Sequence, residues 1–197
     1  MHLDIKQLER KEIYNILSSL IIPRPIGWIS SINTDGKTNL APFSFFNLMG
    51  VAPPIVAFAP GNKASGEPKD TAQNISDTGE FVVNIIHEDL FSAMVESAKP
   101  HDAKVSEIDL IGLTPEPCLD VKPPRIGESL VSLECTLERI LTIGNNRMVI
   151  GEITQIHMND AIFDPEGQQV LTSLYAPIGR LGAPNNYCRT SEPFQSS

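Results

Sequence analysis

The residues whose types and spacing suit chemistry are hydroxyl and cationic side chains in two segments of the chain. Ser30 and Ser31 supply adjacent hydroxyls in the first segment, and Lys69 precedes Thr71 in the second. Such a set can hold a phosphate through hydroxyl and charge-assisted hydrogen bonds, and a helix that begins near Asp70 would add free backbone amides. The alternative is structural, with both serines on a strand and Lys69 as a solvated surface charge. Periodicity alone favours that alternative.

A glycine-rich phosphate loop is a competing interpretation of the first segment. Gly36, Lys37 and Thr38 match the end of a P-loop, but Ser31 occupies the position of its first glycine. A P-loop must lead into a helix whose amides face the phosphate, whereas Pro42 and the aromatic residues after it favour a strand. The chain also contains no G-x-G-x-x-G and no G-x-S-x-G motif. We interpret the match as accidental, while a triad assembled only in space stays open.

Neither a metal site nor a disulfide framework is predicted from the spacing of cysteine and histidine. The cysteines are far apart and include no Cys-x-x-Cys pair, and no two histidines share a helix face or a strand face. These residues are Cys118, Cys135, Cys188, His2, His87, His101 and His157. We therefore expect buried or unreactive thiols and no bound metal.

The candidate hydroxyls are positioned by a predicted β-hairpin. Asp35 and Gly36 supply the positive backbone angle of a tight turn between strands predicted over 27–33 and 38–46. A second hairpin is predicted from the strands 131–143 and 147–158. By pattern alone, the aromatic residues of the first hairpin are core or interface residues rather than a cofactor platform. They are Trp28, Phe43, Phe45 and Phe46.

Three helices and two further strands complete the predicted pattern. They are helices over 9–19, 70–77 and 88–98 and strands over 55–59 and 81–86. Residues 99–128 contain five prolines and little periodicity, which predicts a long surface excursion. Antiparallel hairpins with few helices indicate the mainly β class. A closed barrel is the predicted architecture, because closure removes the edges of such a sheet.

Composition limits the class of protein and of partner. The chain has 197 residues, of which 41% are hydrophobic and 20% charged, and this predicts one folded domain rather than a disordered chain. A net charge of -9 and a pI near 4.9 would repel polyanions, so neither nucleic acid nor a membrane is expected as a partner. No apolar N-terminal segment follows a basic start, so a cytoplasmic location is expected.

Several runs of residues occur in the order that one known family shows, over nearly the whole chain. The runs are Pro23-Arg24-Pro25-Ile26-Gly27-Trp28-Ile29-Ser30-Ser31, Asn39-Leu40-Ala41-Pro42-Phe43-Ser44-Phe45-Phe46-Asn47, Lys69-Asp70-Thr71, Ser106-Glu107, Leu133-Glu134-Cys135 and Pro177-Ile178-Gly179-Arg180-Leu181-Gly182. Each run is weak evidence alone, but together they are specific. The chain resembles the flavin reductase-like FMN-binding split barrels, particularly the flavoredoxin-related branch.

The resemblance implies a fold and an assembly. The implied fold is mainly β: a six-stranded Greek-key antiparallel split barrel with peripheral helices. It implies a single flavin reductase-like domain over residues 1–197, with a barrel core over about 20–165. The tail, 166–197, would pack on the barrel or on a dimer partner. It also implies a homodimer with FMN at the interface between the two copies.

The resemblance further assigns candidate cofactor-binding residues. Trp28, Ser30 and Ser31 would approach the phosphate or the ribityl chain, and residues 69–71 would contact the phosphate. Residues 41–45 would lie along the isoalloxazine edge, with Asn47 close by and Tyr175 against the ring. Asn39 recurs in the motif, and its alternative role is to order the hairpin. The full set is Trp28, Ser30, Ser31, Asn39, Ala41, Pro42, Phe43, Ser44, Phe45, Asn47, Lys69, Asp70, Thr71 and Tyr175.

The implied reaction is hydride or electron transfer through FMN, with NAD(P)H stacked on the exposed face of the flavin. No side-chain acid or base is required, because the cofactor carries the chemistry. Three functions stay open at this point. The first is an NAD(P)H-dependent reductase of flavin or of another small substrate, and the second is an electron carrier reduced by another protein. The third is a barrel that binds a ligand without redox chemistry.

Overall fold

Strands dominate the protein, for which a computed structural model describes residues 1–100, 105–182 and 185–192. Seven strands form the main sheet, and the shorter ones form three separate pairs within this described part. In chain order the strands are β1 (Gly27–Ile32), β2 (Thr38–Phe43), β3 (Phe46–Val51), β4 (Pro54–Phe58), β5 (Glu80–Ile85), β6 (Pro115–Glu116), β7 (Arg125–Ile126), β8 (Val131–Ile143), β9 (Asn146–Met158), β10 (Phe163–Asp164), β11 (Gln169–Val170), β12 (Gly179–Arg180) and β13 (Tyr187–Cys188).

Helices lie at the periphery of the sheet. They are α1 (Arg10–Leu20), α2 (Asp70–Thr78), α3 (Phe91–Ser97), α4 (Glu107–Ile111) and α5 (Thr172–Tyr175). Helix α2 ends at Gly79, whose φ of 75° is left-handed and carries no steric cost for glycine. Across the described ranges, none of the helices combines the length and the apolar character needed to span a membrane.

Most of the predicted elements are confirmed to within about two residues at each end, including both hairpins. The strand predicted over 38–46 is wrong in its extent. Strand β2 ends at Phe43, the chain bends at Ser44 and Phe45, and β3 begins at Phe46. The two strands separate because β2 pairs with β1 whereas β3 pairs with β4. The main sheet therefore has seven strands rather than the six expected.

The main sheet is antiparallel throughout and has the order β2-β1-β5-β8-β9-β4-β3. Strands β2 and β4 lie far apart in this order, yet the ring centroids of Phe43 and Phe58 are 5.2 Å apart. Phe58 also meets Phe81 of β5 at 5.6 Å. Since side chains from distant strands meet in one interior, the sheet rolls around a core. The mainly β barrel with peripheral helices is confirmed.

Two apolar clusters lie on opposite faces of β1, which is buried on both sides. Trp28 joins Leu40 and Met94 in the cluster beneath α3 and α4. Its neighbour Ile29 joins Phe43 in the barrel interior. Successive strand residues point to opposite faces, so this alternation follows from strand geometry. The hydroxyls on β1 are consequently buried as well and must find partners inside the protein.

Asn84 on β5 connects several elements through its side-chain amide. The amide nitrogen donates to the carbonyl of Trp28 at 3.0 Å and to the hydroxyl of Ser30 at 3.3 Å. The amide oxygen accepts from the N–H of Ile126 at 3.0 Å and from the hydroxyl of Ser132 at 2.8 Å. Asn84 is fully buried. One side chain thus ties β1, β5, β7 and β8 together.

Replacement of Gly151 by alanine tests the packing of the barrel interior. A Cβ at Gly151 would overlap the ring of Phe81, which is fully buried. Because neither the ring nor the backbone of β9 has free space, Gly151→Ala is expected to lower the free energy of unfolding by about 1–3 kcal/mol. Chemical denaturation measures this change.

Gly61→Ala provides the matched control, because the nearest atom to its added Cβ is the Asn146 Oδ1, at 3.9 Å. This control is expected to change stability by less than about 0.5 kcal/mol. Equal effects of the two substitutions would contradict the packing interpretation.

Candidate functional site

The outer edge of β2 presents backbone acceptors rather than donors. The N–H of Leu40 points away from β1 and donates to the Glu107 carboxylate of α4 at 3.0 Å. Outward positions recur at every second residue of an antiparallel edge strand, so Pro42 also faces outward. Proline has no N–H. This stretch of edge therefore leaves the carbonyls of Leu40 and Pro42 available to a donor.

Two adjoining cavities follow this edge, and together we call them the β2 cleft. Each has a volume of about 620 Å³, and the two share Pro42, Ala98, Lys99 and Pro100. The first cavity, the polar end, is lined by Asn39, Lys63, Lys69, Asp70, Thr71 and Glu107 among others. The second cavity, the aromatic end, is lined by Tyr14, Ser44, Phe91, Met94, Arg180 and Tyr187 among others. The cleft changes from polar to aromatic along its length.

The polar end receives the N-terminus of α2. Lys69 is the N-cap residue and makes no side-chain capping bond, so the side chain leaves the first-turn amides of this nine-residue helix uncapped. Thr71 Oγ1 accepts from the Asn39 amide at 2.9 Å, which leaves its own proton to donate. The Lys69 ammonium lies 5.7 Å from the centre of the Phe43 ring. These groups favour an anion at this end.

An ion pair moderates the charge of the polar end. Lys63 Nζ lies 2.6 Å from Asp70 Oδ1, with both side chains partly exposed. Glu107 adds a second carboxylate to the lining. An anionic group that enters this end therefore competes with Asp70 for Lys63.

The aromatic end is built from α3 and the β12–β13 pair. Phe91 and Tyr187 meet edge to face, with ring centroids 4.8 Å apart and planes at 78°. The Arg180 guanidinium lies 4.5 Å from the centre of the Tyr187 ring. Aromatic faces with a nearby cation suit a planar, electron-rich group.

A separate apolar groove of about 290 Å³ lies on the other side of the bend at Ser44 and Phe45. Asn47 and Met49 of β3 also line this groove. The Arg24 guanidinium lies 5.7 Å from the centre of the Phe45 ring. The predicted residues Phe45 and Asn47 therefore face this groove, while Ser44 lines both the groove and the aromatic end.

Three predicted residues lie beneath the cleft with their polar atoms bonded inside the protein. Trp28 Nε1 donates to Ser97 Oγ at 2.8 Å, and Ser30 Oγ donates to the carbonyl of Pro124 at 2.5 Å. Ser31 Oγ accepts from the amide of Asn74 at 3.2 Å. Because these three residues are fully buried, their contact with a flavin stays a prediction. In this chain their side chains link β1 to α3, to the excursion and to α2.

Tyr175 lies away from the β2 cleft in the single chain. It lines a cavity of about 180 Å³ together with His87 and Arg189. Burial raises the pKa of the Tyr175 phenol above its usual value. Its contact with a flavin also stays a prediction.

The cleft includes residues that the sequence did not single out. Lys63, Glu107, Arg180 and Tyr187 line it, as does the segment 97–100 at the end of α3. Glu107 and Arg180 lie in runs that carried the family resemblance, and Tyr187 belongs with the tail run, so the resemblance was the one signal for these three. The remaining positions depend on how α3 and the C-terminal strand pair pack against β2.

The comparisons with known proteins agree with this geometry. Residues 18–177 match the family model described as flavin reductase like domain. An uncharacterized protein from Aquifex aeolicus is 40% identical over 182 residues, which cover 92% of this chain and 92% of that protein. Both matches span most of the chain.

Solved structures share the fold over the whole chain. Nitrilotriacetate monooxygenase component B from Bacillus cereus is 31% identical with a TM-score of 0.95, covering 100% of this chain and 98% of that one. The 2-nitrobenzoate 2-nitroreductase NbaA from Pseudomonas fluorescens is 32% identical with a TM-score of 0.91, covering 100% and 95%. A split-barrel protein from Shewanella frigidimarina, 21% identical with a TM-score of 0.86 and covering 100% and 98%, shows the fold alone. The barrel is therefore a split barrel.

Hydrogen exchange at the Leu40 amide tests the attachment of α4 to β2. Glu107→Ala removes the acceptor of that amide, and a hydrogen bond to a charged group contributes about 1.5–3 kcal/mol. The Leu40 amide is therefore expected to exchange at least about tenfold faster in this variant. NMR-detected exchange gives the rate for this one amide.

Two further variants sharpen the exchange measurement. Glu107→Gln keeps an acceptor oxygen and is expected to lie between the native chain and Glu107→Ala. Glu67→Ala removes a carboxylate that accepts from Ser65 in the same loop, and this variant is expected to leave the exchange rate of the Leu40 amide unchanged. Equal exchange rates in all four proteins would show that Glu107 does not protect β2.

Proposed function

Since this chain belongs to the flavin reductase-like family, we propose that it is an NAD(P)H-dependent reductase that holds FMN in the β2 cleft. The family indicates a flavin-related oxidoreductase. FMN as the flavin and NAD(P)H as the reductant are the finer parts of the proposal. The proposal rests on one observation: a single cleft has an uncapped helix N-terminus at one end and aromatic side chains at the other.

The phosphate of FMN fits the polar end of the cleft. The uncapped first turn of α2 offers backbone amides, Thr71 offers a hydroxyl proton, and Lys69 offers a cation. Together these groups form the donor set that a phosphate dianion requires. Asp70 weakens the site, because it is paired with Lys63 and its carboxylate would repel the phosphate. The residues of the polar end therefore fit a phosphate group, and Asp70 lowers the affinity for it.

The flavin ring fits farther along β2, towards Ser44. The extended part of β2 from residue 39 to residue 43 spans roughly 13 Å, which allows the phosphate and the ring to occupy opposite ends of the cleft. The outward carbonyls of Leu40 and Pro42 suit the N–H of a flavin ring, and Phe91 and Tyr187 bring apolar faces to the aromatic end. When bound, FMN supplies the hydride-accepting centre. The chain's residues bind and orient it and limit the access of water.

A small organic molecule or a second flavin is the proposed electron acceptor. The protein from Pseudomonas fluorescens that is 32% identical is named as a nitroreductase, which supports a small organic acceptor. The net charge of -9 disfavours nucleic acid. The two alternatives, an electron carrier and a barrel without redox chemistry, become outcomes of the experiments below.

A second copy of the chain is the proposed cover for the apolar groove and β3. Strand β3 lies at the edge of the main sheet, and its residues Leu48, Met49 and Val51 are 54%, 61% and 78% exposed. Exposed apolar side chains that are contiguous favour association. Because Ser44 and Phe45 lie at the bend between the groove and the cleft, the partner would cover the ring end of the FMN site. A mass equal to one chain, measured by light scattering, would contradict the dimer.

Anaerobic titration of the FMN-loaded protein tests the proposed reaction. NADH or NADPH, added without any partner protein, is expected to bleach the flavin absorbance, because the nicotinamide reduces the ring directly. If the bound flavin stays oxidised with both nucleotides but is reduced by another protein, the function is that of an electron carrier rather than a reductase. If the protein takes up no flavin at all, the hypothesis that remains is a barrel that binds a ligand without redox chemistry.

Variants of the α2 N-terminus test the phosphate end. The double variant Lys69→Ala with Thr71→Ala removes one cation and one hydroxyl that line the polar end. The loss of one to two charge-assisted bonds is expected to weaken FMN binding by about 10- to 100-fold. Riboflavin lacks the phosphate, so its affinity is expected to change by less than about threefold. Fluorescence titration of both flavins measures the ratio.

Lys11→Ala controls for the loss of one positive charge, because Lys11 is exposed on α1 and does not line the cleft. Thermal unfolding of each variant confirms that the protein is folded. An equal loss of affinity for FMN and riboflavin would show that residues 69 and 71 do not bind the phosphate.

A further inference from the structure

Three side chains that are far apart in the sequence meet on the outer side of the β8–β9 hairpin. Glu134 lies on β8 and His157 on β9, while Cys118 follows β6 in the excursion. The Cys118 sulfur, one carboxylate oxygen of Glu134 and one imidazole nitrogen of His157 all lie within 4.8 Å of one another. None of the three lines the β2 cleft. The cluster is therefore independent of the proposed flavin site.

The surrounding backbone holds the central carboxylate in a fixed position. Glu134 is fully buried, and its Oε1 accepts from the N–H of Leu119 at 2.8 Å. Its Oε2 accepts from the N–H groups of Asp120 and Val121 at 2.7 and 3.2 Å. Glu134 Oε1 also lies 2.5 Å from His157 Nε2. Outer hydrogen bonds of this kind orient the ligands of metal sites.

We propose that Cys118, Glu134 and His157 form a binding site for a zinc-like divalent cation, with a fourth position open to water. A thiolate, an imidazole and a carboxylate are the ligands that Zn²⁺ takes in proteins. Mg²⁺ and Ca²⁺ prefer oxygen ligands and do not suit this set. Cys118 and His157 are partly exposed, so an ion can enter from solvent.

The bound ion would take the place of two protons, one on the Cys118 thiol and one in the Glu134–His157 hydrogen bond. The thiol releases its proton to solvent, and the imidazole of His157 keeps a proton on Nδ1 alone, so that Nε2 and the Glu134 carboxylate can each bond to the metal. The backbone bonds from residues 119–121 to Glu134 stay in place. The ion would thus fasten the excursion to the β8–β9 hairpin. The same excursion contacts Ser30 through Pro124 and Asn84 through Ile126.

Zinc titration of the tag-free, full-length protein tests the site. Calorimetry is expected to find one Zn²⁺ per chain, and Co²⁺ is expected to give the charge-transfer absorption of a cobalt–thiolate bond. Zn²⁺ is expected to raise the temperature of thermal unfolding, because it binds the folded state. Cys118→Ser and His157→Gln are each expected to weaken Zn²⁺ binding by at least about tenfold and to reduce the thermal shift.

Cys188→Ser is the control, because Cys188 is a partly buried thiol outside the cluster, and it is expected to bind as the native chain does. Failure of the native chain to bind Zn²⁺, or unchanged affinity in both cluster variants, would overturn the proposal. If a variant does not fold, the Co²⁺ spectrum of the native chain tests the proposed site. Binding of Co²⁺ without a cobalt–thiolate band would also overturn the proposal. The measurements do not require flavin, so their outcome is independent of the proposed reaction.

Discussion

The four hydrogen bonds of the buried Asn84 side chain fix β1, the strand that pairs with β2, relative to β7 and β8. A side-chain amide has two N–H donors and an oxygen that accepts two hydrogen bonds, so it can satisfy groups on several neighbouring elements at once. Asn84 uses this capacity to join β1 to the excursion and to β8. Since an unsatisfied buried polar group costs about 1–3 kcal/mol, the partners of Asn84 cannot move apart independently. Strands β1, β5, β7 and β8 are therefore one connected unit, and β2 pairs with its first strand.

A second set of polar contacts fixes the position of α2 relative to β1 and β2. The Ser31–Asn74 and Asn39–Thr71 hydrogen bonds link the helix to β1 and β2. These bonds determine where the uncapped amides of the helix point. Ser31 and Thr71, which the sequence suggests as phosphate ligands, thus also position helix α2. The proposed phosphate site of this acidic protein thus depends on helix amides and a few cations rather than on overall charge.

Local sequence patterns were sufficient for most of the elements and for the fold class. Alternation of apolar residues and an Asp-Gly turn defined the hairpins, and helix-stop signals defined α2. The bend at Ser44 and Phe45 was missed because the aromatic run on either side of it has strand propensity throughout. Only the pairing of β3 with β4 separates that run into two strands. Likewise, burial of Ser30 depends on Asn84 and Pro124, which are distant in the sequence. The contact among Cys118, Glu134 and His157 could not be predicted from their spacing in the sequence.

Pro42 on the outer edge of β2 has a consequence for how the protein meets other chains. An unpaired edge strand normally invites another strand to add to the sheet, because it offers donors and acceptors in alternation. At this edge the donor of Leu40 is occupied by Glu107, and Pro42 has none to offer. Over residues 40–42 an approaching strand would find acceptors without matching donors. This part of the edge thus resists strand addition while its carbonyls stay accessible to a small molecule.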